Sequence, residues 1–363
     1  MGCFLRARAD LGDRGALWGV AAGAAMMAWM RPGDAVWVTL PLLVLSAVVR
    51  RWRSPRLFVA LAAGLGTGAG AWVFESHASY GGLGQRLSDA SRIQGGRGWN
   101  FAVDDQLRSL VGRTLCRPCT GDLPHVAVMA WWFALPVLAG LGLAVAIRAG
   151  RGAPTLALLA CAVSAAAPYL FLIGYAAPRF LLPAYALLAI PVGDALVCLV
   201  TGPNGAWRPV VGTVVVLGLV GHVSVQYVVL AHTVKGTVAV RDGWSRTVME
   251  LSRLGVRPPC LLTGHNAIPI AFYAGCASAH TSGNNANVTR EGILRGAERM
   301  PAAVLVAPGG GPPEFARGWP SHVFGELRVH VAPGRESPWR PPPAVGQEAL
   351  VMKPSLTLSK MGR

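Results

Sequence analysis

Residues 125–175 form the stretch that decides the fold: HVAVMAWWFALPVLAGLGLAVAI, then RAGRGAP, then TLALLACAVSAAAPYLFLIGY. Two apolar runs, 125–147 and 155–175, lie on either side of a short loop that carries Arg148 and Arg151. Each run has the length that a helix needs to cross a bilayer, about 20 residues, because backbone polar groups facing lipid must be paired within the segment. This stretch therefore predicts two transmembrane helices joined by a basic loop.

Similar apolar segments divide the first 230 residues of the chain. They are residues 15–30, 35–49, 57–74, 125–147, 155–175, 180–200 and 210–230. The first two are short for full spans. With 53% apolar residues, 14% charged residues and a mean hydropathy of +0.44, the composition lies outside the range of soluble domains. The sequence predicts a predominantly α-helical polytopic membrane protein with about seven transmembrane helices.

Arginines concentrate in alternate loops between these segments. They are Arg6, Arg8, Arg14, Arg50, Arg51, Arg53, Arg56, Arg148, Arg151 and Arg208. Lys and Arg in short loops stay on the cytoplasmic side of a membrane. The pattern predicts a multi-pass protein of a bacterial plasma membrane with a cytoplasmic N-terminus. It places the loop 75–124 and everything after residue 230 outside the cytoplasm, and the first apolar segment directs insertion without a cleavable signal.

The net charge of +16 and the pI near 10.6 raise the question of nucleic-acid binding. Much of this charge follows from the loop arginines, and no basic run alternates with aromatic residues. The expected partner is the lipid bilayer and not nucleic acid. Ionisable residues inside the apolar segments are few, Asp194 and His222 being the clearest, and this scarcity argues against ion-coupled transport.

Glycines recur in the third segment at Gly64, Gly66, Gly68 and Gly70. A dinucleotide-binding loop would need a strand before them, which the sequence lacks. Small residues four apart on an apolar helix let a second helix approach closely. The spacing therefore predicts helix packing.

The amino-acid composition changes after residue 230, where the apolar runs become shorter and Gly, Pro and Asn become frequent. The pattern predicts a small extracytoplasmic α/β domain over 231–333 with some parallel strand pairing. Its predicted helices cover 244–254, 267–274 and 291–300, and its predicted strands cover 259–263 and 302–307. The proline-rich segment 334–363 is expected to be an extended or disordered tail.

The external loop 75–124 carries the candidate acidic residues. Glu75 lies at the outer boundary of its segment, where a carboxylate can act as a general base or bind a divalent cation. Asp104 and Asp105 follow two aromatic residues and offer the same chemistry, or else they cap a helix beginning near Gln106. No cofactor is evident from the sequence beyond such a cation.

The same loop contains arginines that suit phosphate, because guanidinium groups donate paired hydrogen bonds to it. They are Arg86, Arg92, Arg97, Arg108, Arg113 and Arg117. A lipid phosphate headgroup is one partner for them, and a solvated set of lipid-facing charges is the alternative. Arg86, Asp104 and Asp105 are the candidate substrate-binding residues of the loop.

Cysteines are spaced for two local disulfides in an oxidising compartment, Cys116 with Cys119 and Cys260 with Cys276. A single Cys-Arg-Pro-Cys unit is weak evidence for zinc. In the predicted soluble domain, the polar residues 281–289 suit a ligand-binding loop. Turn formation and capping of the helix at Glu291 explain the same residues.

The run Pro178-Arg179-Phe180-Leu181-Leu182-Pro183 resembles the Pro-Arg-Tyr-Leu-Leu-Pro element of GT-C type polytopic glycosyltransferases. Arg31-Pro32 followed by Pro41-Leu42-Leu43 is also similar to the middle of those proteins, so the resemblance covers about residues 15–230. It implies transfer of a sugar from a polyprenyl-phosphate donor at the outer face of the membrane. It further implies that Arg179 lies near the donor phosphate.

The chain departs from that family in its first external loop, where the family carries its acidic catalytic motif. Here the loop holds only Arg31, Pro32, Gly33 and Asp34, and Asp34 does not match the motif in context. Glu75 is the substitute candidate for the catalytic carboxylate. The chain is expected to correspond to the latter part of such an enzyme, as a truncated or degenerate relative. The alternative is a non-catalytic membrane scaffold or binding protein of the cell envelope.

Overall fold

A computed structural model describes residues 1–93, 96, 98–113, 115–117, 119–202, 207–283 and 285–333. The chain divides into two compact units, Met1–Thr237 and a second unit that begins at Val238. The predicted proline-rich tail and the candidate Arg97 lie outside the described residues.

The first unit is helical. Its helices are α1 Gly2–Ala9, α2 Arg14–Met30, α3 Pro32–Ala47, α4 Pro55–Ser79, α5 Leu83–Ile93, α6 Val103–Ser109, α7 Val126–Arg148, α8 Gly152–Phe171, a 3-10 turn Pro178–Leu181, α9 Leu182–Thr201, and α10 Trp207–Arg253, which continues into the second unit. Each predicted apolar segment overlaps one of these helices, but the second extends two residues past α3 and the fifth four residues past α8. Among the described residues, five helices are long and apolar enough to cross a membrane, namely α4, α7, α8, the turn with α9, and α10. Helix α3 is apolar but shorter.

Successive long helices run in opposite directions, through a short loop between α7 and α8 and a long one between α4 and α7, so their ends fall into two groups. At one end, here called the Arg151 end, Arg151 pairs with Asp194 at 2.9 Å and Arg56 donates to the Leu11 carbonyl oxygen at 3.0 Å. At the other, the Tyr169 end, Trp132 Nε1 donates to the Tyr185 hydroxyl at 3.0 Å. The arginine-rich loops belong to the Arg151 end.

Close packing of α2 against α4 depends on two of the four glycines. A Cβ atom at Gly64 would overlap the Ala21 carbonyl oxygen, and one at Gly68 would overlap that of Ala25. At Gly66, by contrast, a Cβ atom would meet nothing within 4 Å. The predicted helix-packing role is confirmed at Gly64 and Gly68, where the backbones approach without intervening side chains.

The second unit is a five-stranded sheet with helices. Its elements after α10 are β1 Leu261–Gly264, α11 Ala267–Ala274, β2 Ala277–Ala279, α12 Arg290–Arg299, β3 Ala302–Val306, a 3-10 turn Glu314–Ala316, β4 Ser321–Phe324 and β5 Leu327–Val331. The strand order is β2-β1-β3-β5-β4, with β1 parallel to β2 and β3, and β5 antiparallel to β3 and β4. A small C-terminal α/β unit with parallel pairing is therefore confirmed.

Two details of the prediction for this unit need correction. Residues 244–253 are helical, but they are the last turns of α10 and not a separate helix, because the helix continues past residue 230 without a break. The strands β2, β4 and β5 were not expected. β2 is only three residues long and β4 is largely exposed, so neither carries a strong apolar pattern. β5, Leu-Arg-Val-His-Val, does alternate apolar and polar residues, and this signal was missed.

The core of the second unit lies on one face of the sheet. Leu262, Leu305 and Val329 point to that face and are fully buried against residues of α10 and α11. On the opposite face, Val304 and Val306 pack against the 3-10 turn Glu314–Ala316 and Trp319. Burial on both faces is typical of parallel strands in α/β units.

Candidate functional site

Three polar side chains meet at the Tyr169 end of the first unit. Pro32 begins α3, so Asp34 lies in the first helical turn, where the helix dipole favours a carboxylate. The Tyr169 hydroxyl donates a short hydrogen bond to Asp34 Oδ1 and accepts one from Arg31 at 3.2 Å. Arg31 Nε lies 2.9 Å from Asp34 Oδ2, an ion pair that lacks hydrogen-bond alignment. The Asp34 side chain is only 14% exposed.

The loop between α4 and α7 is bonded to the end of α8 next to this group. The buried Gln106 of α6 donates from Nε2 to the Tyr169 carbonyl oxygen at 3.3 Å. Backbone N–H groups of Asn100 and Ala102 donate to the carbonyls of Phe171 and Leu170. One side-chain bond and two backbone bonds thus position the loop beside the end of α8.

Aromatic rings extend the site from Tyr169 to the 3-10 turn that carries Arg179. Phe180 stacks on Tyr169 with ring centroids 4.9 Å apart, and Tyr175 meets Phe180 edge-on at 5.6 Å. We call Tyr169, Tyr175 and Phe180 the aromatic cluster. The Arg179 guanidinium lies 5.6 Å from the Phe180 ring, and that of Arg117 lies 5.0 Å from the Tyr175 ring.

Three arginines therefore contact one aromatic cluster beside a shielded carboxylate: Arg31, Arg117 and Arg179. Aromatic rings hold the guanidinium groups of Arg117 and Arg179 in place, and guanidinium groups are the side chains best suited to bind phosphate. A carboxylate next to them can accept a proton from a hydroxyl group. The arrangement has the components for phosphate binding and base catalysis in one place.

Glu75 and Arg86, which were predicted as catalytic and substrate-binding residues, form an ion pair with each other. Arg86 lies 2.8 Å from Glu75 Oε2 and also donates to the Trp72 carbonyl oxygen. Its guanidinium lies over the rings of Trp72 and Tyr80 at 4.5 and 4.4 Å. The hydrogen bonds of Arg86 to described residues are all made through Nη1, and they fix α5 to the end of α4.

Asp104 and Asp105 do not cap a helix. Helix α6 begins at Val103, so both carboxylates lie in its first turn and both pair with Arg108, Asp105 at 3.7 Å. The hydrogen bond from Arg108 lowers the pKa of Asp104. Burial raises the pKa of Asp105, and the charge of Asp104 adds to that effect. The alternative that they cap a helix near Gln106 is thus wrong.

Both cysteine pairs form disulfides in the structure. The Cα atoms of Cys116 and Cys119 are 4.8 Å apart, and those of Cys260 and Cys276 are 4.7 Å apart. Cys116 also pairs with Ala176 through backbone hydrogen bonds at 2.8 and 3.2 Å. Among the described residues, no group of three His, Cys, Asp or Glu side chains could hold a metal ion. A divalent cation remains a prediction.

Sequence reasoning missed Asp34, Tyr169 and Gln106 as members of one site. Arg31 and Asp34 are spaced as a pair at a helix start, which is a local signal. Their partner Tyr169 is 135 residues from Asp34, so no local pattern indicates it. No protein-family model, curated protein or solved structure matches the chain. The chemistry of these side chains is therefore the basis for assigning a function.

Proposed function

We propose that this protein is a multi-pass glycosyltransferase of a bacterial plasma membrane that takes its sugar from a polyprenyl-phosphate donor at the outer face. The observation that carries the proposal is the group of three arginines on the aromatic cluster beside Asp34. Five helices of sufficient length and apolarity support membrane insertion. The resemblance of residues 178–183 to glycosyltransferases of the GT-C type suggests the reaction.

The orientation follows from the arginine loops. Most short-loop arginines, including Arg56 and Arg151, belong to the Arg151 end, which we assign to the cytoplasm because an excess of such residues is retained there. The Tyr169 end then faces outward, together with the loop between α4 and α7. A lipid phosphate headgroup in the outer leaflet would lie at the depth of Arg179 and Arg117.

The proposed reaction uses Asp34 as the base. The acceptor hydroxyl oxygen attacks C1 of the donor sugar, and the bond from C1 to the phosphate oxygen breaks. The electron pair of that bond leaves with the polyprenyl phosphate, whose charge the arginines stabilise. The hydroxyl proton passes to Asp34 Oδ2, a buried atom that Arg31 Nε covers at 2.9 Å, so the Arg31 side chain has to move aside when the acceptor binds. We prefer Asp34 to Glu75 because Glu75 is 53% exposed and pairs with Arg86 away from the aromatic cluster.

The test uses the full-length protein in nanodiscs with undecaprenyl phosphate carrying radiolabelled glucose, mannose or galactose, and an envelope extract as acceptor. We expect label to leave the lipid fraction with one of these donors. Asp34→Asn should lower the rate about 100-fold or more, as loss of a general base does. Asp194→Asn is the matched control, because Asp194 also pairs with an arginine at 2.9 Å but at the Arg151 end.

Donor binding is measured separately. Undecaprenyl phosphate should bind about tenfold more weakly to Arg179→Ala than to the wild type, while Arg151→Ala should bind as the wild type does. If Asp34→Asn transfers sugar at the wild-type rate and Glu75→Gln does not transfer it, Glu75 and not Asp34 is the base. A wild-type protein that neither binds the lipid phosphate nor releases label would support the non-catalytic envelope scaffold instead.

A further inference from the structure

The second unit contains a cavity of about 420 Å³ at the carboxyl ends of its parallel strands. Residues that directly follow β1, β2 and β3 line it, together with the 3-10 turn Glu314–Ala316. The residues that line it include Thr263, His265, His280, Ser282, Gly311 and Phe315.

The topology explains why a cavity forms there. The chain passes from β1 through α11 to β2 on one side of β1, and then through α12 to β3 on the other side. The connections leave the sheet in opposite directions at this point, which opens a crevice outside the strand ends. Ligands of open α/β sheets bind in such crevices. Gly264 with φ +96° turns the chain sharply at the end of β1.

Polar residues of the segment 281–289 divide into structural and cavity-lining groups. Asn287 Oδ1 accepts from the His280 N–H at 2.8 Å, and its Nδ2 donates to the Ser278 carbonyl oxygen at 3.1 Å. Thr289 accepts from the Gly292 N–H at 3.2 Å and caps α12. Turn formation and capping therefore account for these two side chains. They leave Thr281 and Ser282 facing the cavity without such a role.

His280 supplies the second observation that points to a ligand. Its Nε2 atom is shielded from solvent and has no hydrogen-bond partner among the described residues. A buried polar atom without a partner is energetically unfavourable, so native structures keep few of them. The backbone of His280 is fixed by Asn287, which holds the imidazole in the cavity wall. Rotation of the imidazole towards the cavity would let a ligand there provide the missing partner.

We propose that this cavity binds a neutral saccharide unit. No Asp, Glu, Lys or Arg occurs among the described residues that line it, so a charged ligand would find no opposite charge. Hydroxyl and imidazole groups of Thr263, Ser282 and His280 both donate and accept, as sugar hydroxyls do. Phe315 offers an apolar surface for the C–H face of a sugar ring. The site does not depend on the proposed transfer reaction, since binding here requires no donor lipid.

The test is saturation-transfer NMR on the full-length protein in nanodiscs, without donor lipid. The probes are the methyl glycosides of glucose, mannose and galactose, with inorganic phosphate as a competitor. We expect at least one glycoside to receive saturation and phosphate to leave the signal unchanged. His280→Ala should weaken that binding about tenfold, the effect of losing one good hydrogen bond. His322→Ala is the control, because His322 is exposed on β4 and does not line the cavity.

A second variant keeps the proposal testable if His280→Ala unfolds. Gly311→Trp would place a large side chain in the cavity, and a Cβ atom at Gly311 meets nothing within 4 Å. Gly318→Trp, which is equally open but does not line the cavity, should bind as the wild type does. Binding that survives Gly311→Trp, absence of saturation from all three glycosides, or displacement by phosphate would each overturn the proposal. None of these results depends on whether the first unit transfers sugar.

Discussion

At the scale of single residues, the Tyr169 hydroxyl connects the charged pair Arg31 and Asp34. Tyr169→Phe removes a hydrogen bond to an ionised group, and we expect it to lower the free energy of unfolding by about 1.5–3 kcal/mol. Tyr185→Phe removes a hydroxyl whose hydrogen bond within the described part of the chain is the one accepted from Trp132 at 3.0 Å, and should cost about 0.5–1.5 kcal/mol. Thermal unfolding of both variants in detergent measures the difference. Equal losses of unfolding free energy in the two variants would show that the ion pair does not strengthen the hydrogen bonds of Tyr169.

Asp104 and Asp105 should have opposite effects on stability. The lowered pKa of Asp104 means that its charged form stabilises the fold, a contribution present above the pKa of the unfolded chain and lost as the pH falls through the folded pKa. The raised pKa of Asp105 means that its charged form is unfavourable at neutral pH. Asp104→Asn should therefore lower the melting temperature at neutral pH and Asp105→Asn should raise it. Both differences should shrink in acid, and shifts of the same sign would contradict the assignment.

At the scale of elements, α4 presents glycines to α2 at two positions and to open space at another. Gly68→Ala inserts a methyl group against the Ala25 carbonyl oxygen and 2.8 Å from Ala28 Cβ. We expect a loss of about 1–3 kcal/mol, the usual cost of overpacking. Gly66→Ala should be neutral or stabilising, since alanine favours helix and nothing lies within 4 Å. Thermal unfolding of the two variants compares the same chemical change on one helix.

The elements also differ in how far the sequence could predict them. The glycine spacing of α4 is a local pattern, and it correctly indicated packing. Strand β3 is buried along its length and was expected, whereas β2 spans only three residues and was not. Helix α10 passes through Gly236 and Gly243, which suggested a domain boundary near residue 230 but do not interrupt the helix. The contact of Asp34 with Tyr169 depends on packing between distant helices, which no local window contains.

At the scale of the whole molecule, the proposed topology makes Trp99 and Val323 extracytoplasmic. Their side chains are 87% and 72% exposed, so a cysteine at either position would be accessible. In a variant lacking Cys3, a membrane-impermeant maleimide should label Trp99→Cys and Val323→Cys in intact cells. The wild-type Cys3 should be labelled only after permeabilisation. Labelling of either introduced cysteine only in permeabilised cells would overturn the orientation and, with it, an outward-facing Asp34 site.

The close approach of α2 and α4 has a genetic consequence. Every missense change in a glycine codon adds at least a β-carbon, so the codons for Gly64 and Gly68 offer no tolerated amino-acid replacement by this criterion. In a saturation library selected for correctly folded protein, these two codons should retain only synonymous variants. Gly66 is two residues from each of them and faces open space, so its codon should accept substitutions to alanine and serine.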